Sequence, residues 1–158
     1  MWKNANFGFC PSSRYLLYSC FMSKIASFPF TFIGKTKLGK IYRPYAIVLA
    51  YSKIRGKWQP LEMIIDTGAD YSLFPKRYAL VLGINLAQEC VAETTAGVGG
   101  AETVYQYKNL PIRIGSWQKR IPVGFLERDD LPPLLGRLAC LEVFRLSFEN
   151  KESLFELP

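Results

Sequence analysis

Short runs of alternating apolar and polar residues, cut by glycine, proline and polar turns, cover most of the chain. From Phe28-Pro29-Phe30-Thr31-Phe32 the sequence reads as strand, and Gly34 and Gly39 bracket a basic turn after it. Ile41 to Ser52 forms a long β-type run, Lys53-Ile54-Arg55-Gly56-Lys57 a polar turn, and Trp58 to Ile65 a returning strand. Pro60 inside that strand points to an edge or a bulge, because it has no N–H for a ladder. Pro75 suits the first turn of a short helix over Lys76–Leu82, which Gly83 closes. Ile84 to Thr95 and Glu102 to Ile114 read as two strands around Ala96-Gly97-Val98-Gly99-Gly100-Ala101. Strand follows at Lys119–Phe125, a charged loop at Glu127–Asp130, one or two helical turns at Leu138–Val143, and a hairpin from Phe144–Glu149 to Ser153–Leu157.

Many short strands with one or two short helices predict an all-β domain over residues 28–158. Residues 1–27 are rich in Phe, Ser, Tyr and Cys without a sustained period and are read as an N-terminal extension, with Met22 as a second possible start. At 158 residues and 49% hydrophobic residues, the chain has room for one domain with a proper core. No apolar stretch approaches the ~20 residues of a membrane-spanning helix.

The sequence contains no histidine. That removes Ser-His-Asp and Cys-His nucleophiles, His-rich zinc sites and the histidine pH switch. Charge is uneven: residues 1–61 hold ten Lys or Arg and no acid, whereas 62–158 hold ten basic and thirteen acidic residues. The net +7 raises nucleic acid as a partner. The basic residues are nevertheless spread through the first third, without zinc-finger or P-loop spacing, so specific nucleic-acid binding is not expected. Cys10, Cys20, Cys90 and Cys140 form no C-x-x-C pair, and Cys90 and Cys140 sit in apolar contexts as buried thiols. Tyr15-Leu16-Leu17-Tyr18-Ser19-Cys20 faintly suggests a lipoprotein signal, but Arg14 leaves its apolar stretch too short. A reduced, cytoplasmic protein is the expectation.

The most informative segment is Met63-Ile64-Ile65-Asp66-Thr67-Gly68-Ala69-Asp70. A carboxylate directly after three apolar residues sits where a buried strand ends. Gly68 permits a tight turn, and the Thr67 hydroxyl can fix the loop. Such a turn holds a desolvated carboxylate in a set orientation, although a lone D-T-G also serves as an ordinary turn. Leu134-Leu135-Gly136-Arg137, with an apolar segment behind it, recurs about seventy residues downstream.

Taken together, these segments resemble the retroviral-type (retropepsin-like) aspartic proteases, the single-domain branch of the pepsin-like enzymes. That family carries apolar-apolar-D-[TS]-G-A, a glycine-containing flap hairpin, and later apolar-apolar-G. All three occur here in order, as Ile64–Ala69, Thr95–Glu102 and Leu134–Arg137, and the likeness covers about residues 41–149. It implies a closed barrel of short strands with a glycine-rich flap. By the same likeness Asp66, Thr67 and Gly68 fall on the catalytic turn, and Gly68, Asp70, Val98, Gly99 and Gly100 on substrate-binding positions. Ala69, Leu135, Gly136 and Arg137 support the turn, with Arg137 pairing Asp70. The Phe144–Leu157 hairpin is longer than the single terminal strand of the viral enzymes.

The implied activity is aspartic endopeptidase, with no metal and no cofactor. Only one D-T-G is present, and 158 residues are short for two such lobes, so the second carboxylate is expected from Asp66 of another subunit of a homodimer. Asp129-Asp130, the nearest alternative within the chain, reads as a solvated loop. An extended peptide or protein is the expected substrate. The competing reading is a catalytically silent module of the same fold that binds peptide or dimerises.

Overall fold

A computed structural model describes residues 23–97 and 100–158, the side chains of 95–97 excepted. Twelve strands and two short helices follow one another as β1 (Ser23–Pro29), β2 (Thr31–Thr36), β3 (Gly39–Arg43), β4 (Tyr45–Ser52), β5 (Lys57–Ile65), β6 (Ser72–Pro75), α1 (Arg77–Leu82), α2 (Leu86–Glu89), β7 (Val91–Gly97), β8 (Gly100–Ile114), β9 (Trp117–Leu126), β10 (Leu134–Leu135), β11 (Arg145–Glu149) and β12 (Glu152–Leu157). Among the described residues no helix is long and apolar enough to cross a membrane.

Six strands close into a ring in the order β4-β5-β10-β6-β9-β8, sealed by pairing of β8 back onto β4 at Leu49↔Arg113 and Ala50↔Ile112. Alternation in β4 and β5 sets the inner face. Ala46, Val48 and Ala50 are fully buried and pair within a register that brings Leu61, Met63 and Ile65 to the same core. Phe74, Leu110, Ile112, Ile121, Val123, Phe125 and Leu135 complete it. The expected all-β fold of short strands with short helices is therefore observed. Pro60 pairs with Leu49 on one side, and β10 reaches only Ile64 and Ile65 on the other, so Pro60 lies on an edge stretch of β5.

The terminal strands form a separate sheet, β1-β12-β11. Edge-to-face rings link it to the ring of strands through Phe144–Phe155 at 5.3 Å and Trp117–Phe144 at 4.8 Å between centroids, and Phe28–Phe155 at 5.7 Å packs within the sheet. Strand β1 takes in residues 23–27, and the earlier part of the expected extension lies outside the described residues.

Several local expectations need correction. Pro75 ends β6 and does not open the helix, which starts at Arg77, and the run Phe28–Phe32 is divided at Phe30 between β1 and β2. The run Ile41–Ser52 is two strands, because Pro44 fixes its own φ and offers no N–H; β3 pairs with β2 in a hairpin, and β4 joins the ring. Ile84–Thr95 begins as helix: Asn85 Oδ1 accepts from the amides of Ala87 at 3.1 Å and Gln88 at 3.3 Å, capping α2 before β7 starts at Val91. The helix expected over Leu138–Val143 shrinks to one 3₁₀ turn at Leu141–Val143, preceded by Ala139 in the left-handed region at φ 56°.

Candidate active site

Asp66 is the first residue past β5, and its position is set by the short strand β10 alongside. Within that parallel pair Leu134 lies against Ile64 and Leu135 against Ile65. The Ile64 amide donates to Pro133 O at 2.9 Å and the Asp66 amide to Leu135 O at 3.0 Å, so the carboxylate-bearing residue is pinned by its own backbone. The turn that follows is tight. Ala69 N donates to Asp66 O at 3.2 Å, and Gly68 N donates to Asp66 Oδ1 at 2.9 Å. The latter bond orients the carboxylate, and the other oxygen accepts no hydrogen bond among the described residues. Asp66 is half-buried, Thr67 and Gly68 are exposed, and the Thr67 hydroxyl makes no hydrogen bond among the described residues.

The second turn locks onto the first through the main chain. Arg137 N donates to Ala69 O at 3.0 Å and Leu138 N to Asp70 O at 2.7 Å. Gly136 leaves no room for a side chain there, because a Cβ would fall 2.8 Å from Ser72 N and closer still to the Tyr71 carbonyl. Arg137 also forms an ion pair with Asp70. The two side chains are 51% and 81% exposed, and surface pairs of that kind contribute ~0–1 kcal/mol. Most of the bracing therefore lies in the backbone bonds.

Sequence reasoning missed two members of this assembly. Ser72, fully buried on β6, accepts the Gly136 amide at 3.1 Å and so holds the two turns together. Tyr71 supplies the backbone against which Gly136 closes, and its ring packs where a Cβ on Gly124 would fall, 2.8 Å from Tyr71 Cε2. The one legible signal was a small hydroxyl residue next to Leu73-Phe74 in an otherwise apolar strand.

The remaining expected positions lie on or near the β7–β8 hairpin. Its strands run in unbroken register from Val91↔Gln106 to Gly97↔Gly100. Gly100 has φ 109°, a conformation that glycine adopts without strain. Pairing of β8 with β9 begins only at Val104, so the hairpin end extends past the ring. Val98 and Gly99 lie outside the described residues. Asp129 and Asp130 are engaged elsewhere: Asp129 Oδ1 accepts from Arg77 N at 2.9 Å, and Asp130 pairs with Arg128, which holds its carboxyl down at about 2.

The family model described as Aspartyl protease matches residues 50–137, more than half of the chain, from the end of β4 through the Gly136 turn. Among solved structures, a retropepsin-like aspartic protease from Rickettsia conorii matches with a TM-score of 0.52 at 18% identity, over 80% of this chain and 98% of that one. A match at that identity concerns the fold. With the carboxylate turn, the paired glycine turn and the ring of strands, these findings establish that the chain belongs to the aspartyl protease family and has a retropepsin-like fold.

Proposed function

We propose that the protein is an aspartic endopeptidase whose active site forms between two copies of the chain, each contributing Asp66. The observation that carries this reading is the setting of Asp66, held at the end of a buried strand by backbone bonds on its inner side and half open on its outer side. Two further observations support a partner. The exposed Thr67 hydroxyl is free to bond the opposite loop, and Asp129 and Asp130 are occupied by Arg77 and Arg128.

Two carboxyl groups facing each other across a two-fold axis share one proton, because like charges so close are costly. The ionised member takes a proton from a water held between them, and the water oxygen attacks the peptide carbonyl. The protonated member donates to that carbonyl oxygen. Collapse of the tetrahedral adduct breaks the C–N bond, and a proton passes to the leaving nitrogen. Substrate lies extended, with Gly68 and Asp70 meeting its backbone and the Val98-Gly99-Gly100 end of the β7–β8 hairpin covering it as a flap. Ala69, Leu135, Gly136 and Arg137 keep the turn in place. The catalytic domain on this reading is residues 28–158, with 23–27 added by β1.

The test is Asp66→Asn, read alongside wild type across a dilution series in which mass and peptide hydrolysis are measured on the same samples. Loss of at least ~100-fold in kcat at unchanged fold is expected for Asp66→Asn, a general acid–base step being worth ~10²–10⁴. Wild-type activity per chain is expected to fall as the dimer dissociates. A proven monomer that hydrolyses peptide at the full per-chain rate would refute the shared site. A well-folded dimer without hydrolysis of a mixed peptide library would favour the silent module.

A further inference from the structure

The β2–β3 hairpin, Thr31 to Arg43, stands apart from both larger sheets as a two-stranded unit. Its turn is Lys37-Leu38, and Leu38 is 99% exposed, a fully solvated aliphatic tip. Phe32, Ile33 and Ile41 on the same hairpin are about half exposed. Lys35, Lys37, Lys40 and Arg43 surround these apolar groups, and none makes a salt bridge among the described residues. The hairpin carries no acid, nor does any residue before Glu62. Its foot is anchored, since Phe30 N donates to Lys151 O at 2.7 Å, the Phe30 ring meets Phe148 edge-on, and Lys151 lies 4.1 Å from the Tyr42 ring centroid.

We propose that this hairpin is a docking element for an anionic lipid surface, with Leu38 entering the headgroup–acyl boundary and Lys35, Lys37 and Lys40 meeting lipid phosphates and carboxylates. Charge complementarity selects an anionic occupant. The exposed leucine at the very tip favours a lipid one, because interfacial binding needs apolar insertion together with basic charge, whereas nucleic acid uses an aliphatic tip only where it wedges between unstacked base steps and its phosphate backbone offers no apolar phase. A projecting, firmly footed hairpin delivers both at one point. This surface is separate from the Asp66 turn and does not depend on the proposed peptidase reading.

The experiment is co-sedimentation of the full chain with phosphatidylserine–phosphatidylcholine vesicles and with pure phosphatidylcholine vesicles at ~0.15 M salt, where charge interactions beyond ~8 Å are screened. Wild type is expected to partition at least tenfold more strongly onto the anionic vesicles. Leu38→Ser, which keeps every charge, is expected to lower that partition by at least fivefold. The triple variant Lys35→Gln, Lys37→Gln, Lys40→Gln is expected to lower it on the order of 100-fold, at about fivefold for each lysine. Lys37 and Leu38 are exposed turn positions and Lys35 and Lys40 exposed strand positions, and unchanged circular dichroism verifies both folds. Absence of anionic preference in wild type, or wild-type partition onto anionic vesicles in Leu38→Ser, overturns the proposal. So does a nucleic-acid mobility shift lost in the lysine variant and kept in Leu38→Ser, which would assign the tip to phosphate polymers. A halving of sedimentation mass in Leu38→Ser would assign it to a second copy of the chain.

Discussion

Replacing Gly136 with alanine tests the brace beneath the carboxylate turn. The new Cβ would lie 2.8 Å from Ser72 N and nearer still to the Tyr71 carbonyl carbon and oxygen. All three atoms are backbone, so no side-chain rotation gives relief and the turn must lift away from β6. That movement lengthens the 3.1 Å bond from Gly136 N to Ser72 Oγ and pulls on the bonds that Ala69 O and Asp70 O accept. Overpacking of this kind costs ~1–3 kcal/mol, and a buried amide left without its acceptor adds ~1–3 kcal/mol. A combined loss of ~2–6 kcal/mol corresponds to a drop in Tm of ~4–24 °C, at ~2–4 °C per kcal/mol for a chain of this size. Thermal unfolding followed by circular dichroism reads the shift directly. Gly34→Ala is the control, since nothing lies within 4 Å of a Cβ there and its backbone is not left-handed; it should stay within ~0.5 kcal/mol of wild type. A Gly136→Ala protein melting within ~2 °C of wild type would refute the reasoning, because it would mean that the two turns are not rigidly apposed.

Two other predictions concern titration. Burial, reinforced by the nearby Glu142 carboxylate, pushes the Cys140 thiol up to about 12, while Cys90 is only partly buried; iodoacetamide at pH ~8, read by peptide mapping, should alkylate Cys90 well before Cys140, and equal rates would count against a closed core. The Arg128 guanidinium holds the Asp130 carboxyl at about 2, below its ordinary 3.8. The stabilisation from that pair is fully present above the unfolded-state value and lost as pH falls through about 2. An NMR titration should show the low midpoint, and Arg128→Gln should return it to the ordinary carboxylate range; an unchanged midpoint would remove Arg128 as the cause.

What was legible in the sequence was whatever depends on steric necessity or long alternation. Asp66-Thr67-Gly68 and Leu135-Gly136 were readable because a turn and a close backbone approach leave few residue choices, and β5 because Leu61, Met63 and Ile65 recur at every second position and close in an apolar run. Strands β6 and β10, of four and two residues, are too short for any period to appear, although they carry the pairings that place Asp66. The break at Pro44 was overlooked because the residues on both sides have strong β character. The α2 turn was overlooked because Ile84 and Val91 suggested one strand across the Asn85 cap. Ser72 could not be singled out, since its importance lies in a hydrogen bond to a residue 64 positions away.

The division of labour between backbone and side chains around Asp66 also bears on how substrate would be received. Asp70 is 81% exposed and pairs with an Arg137 that is itself half exposed, so this pair exchanges readily with water. The turn does not depend on it, because Ala69 O and Asp70 O accept main-chain bonds from Arg137 and Leu138 whatever the side chains do. On the proposed reading, that leaves the Asp70 carboxylate free to accept an N–H from an extended substrate without loosening the residue four positions earlier that performs the chemistry. The exposed outer side of Thr67 and Gly68 fits the same scheme. A carboxylate open to bulk water is a weak base, and amide hydrolysis calls for a site that excludes solvent and holds its dipoles in advance. On the proposed reading, a second copy of the same turn would cover Asp66, Thr67 and Gly68 at once by isologous contact. The inner bonds already fix each half, so the partner would supply the other carboxylate and the cover, and neither half would have to be rebuilt on assembly.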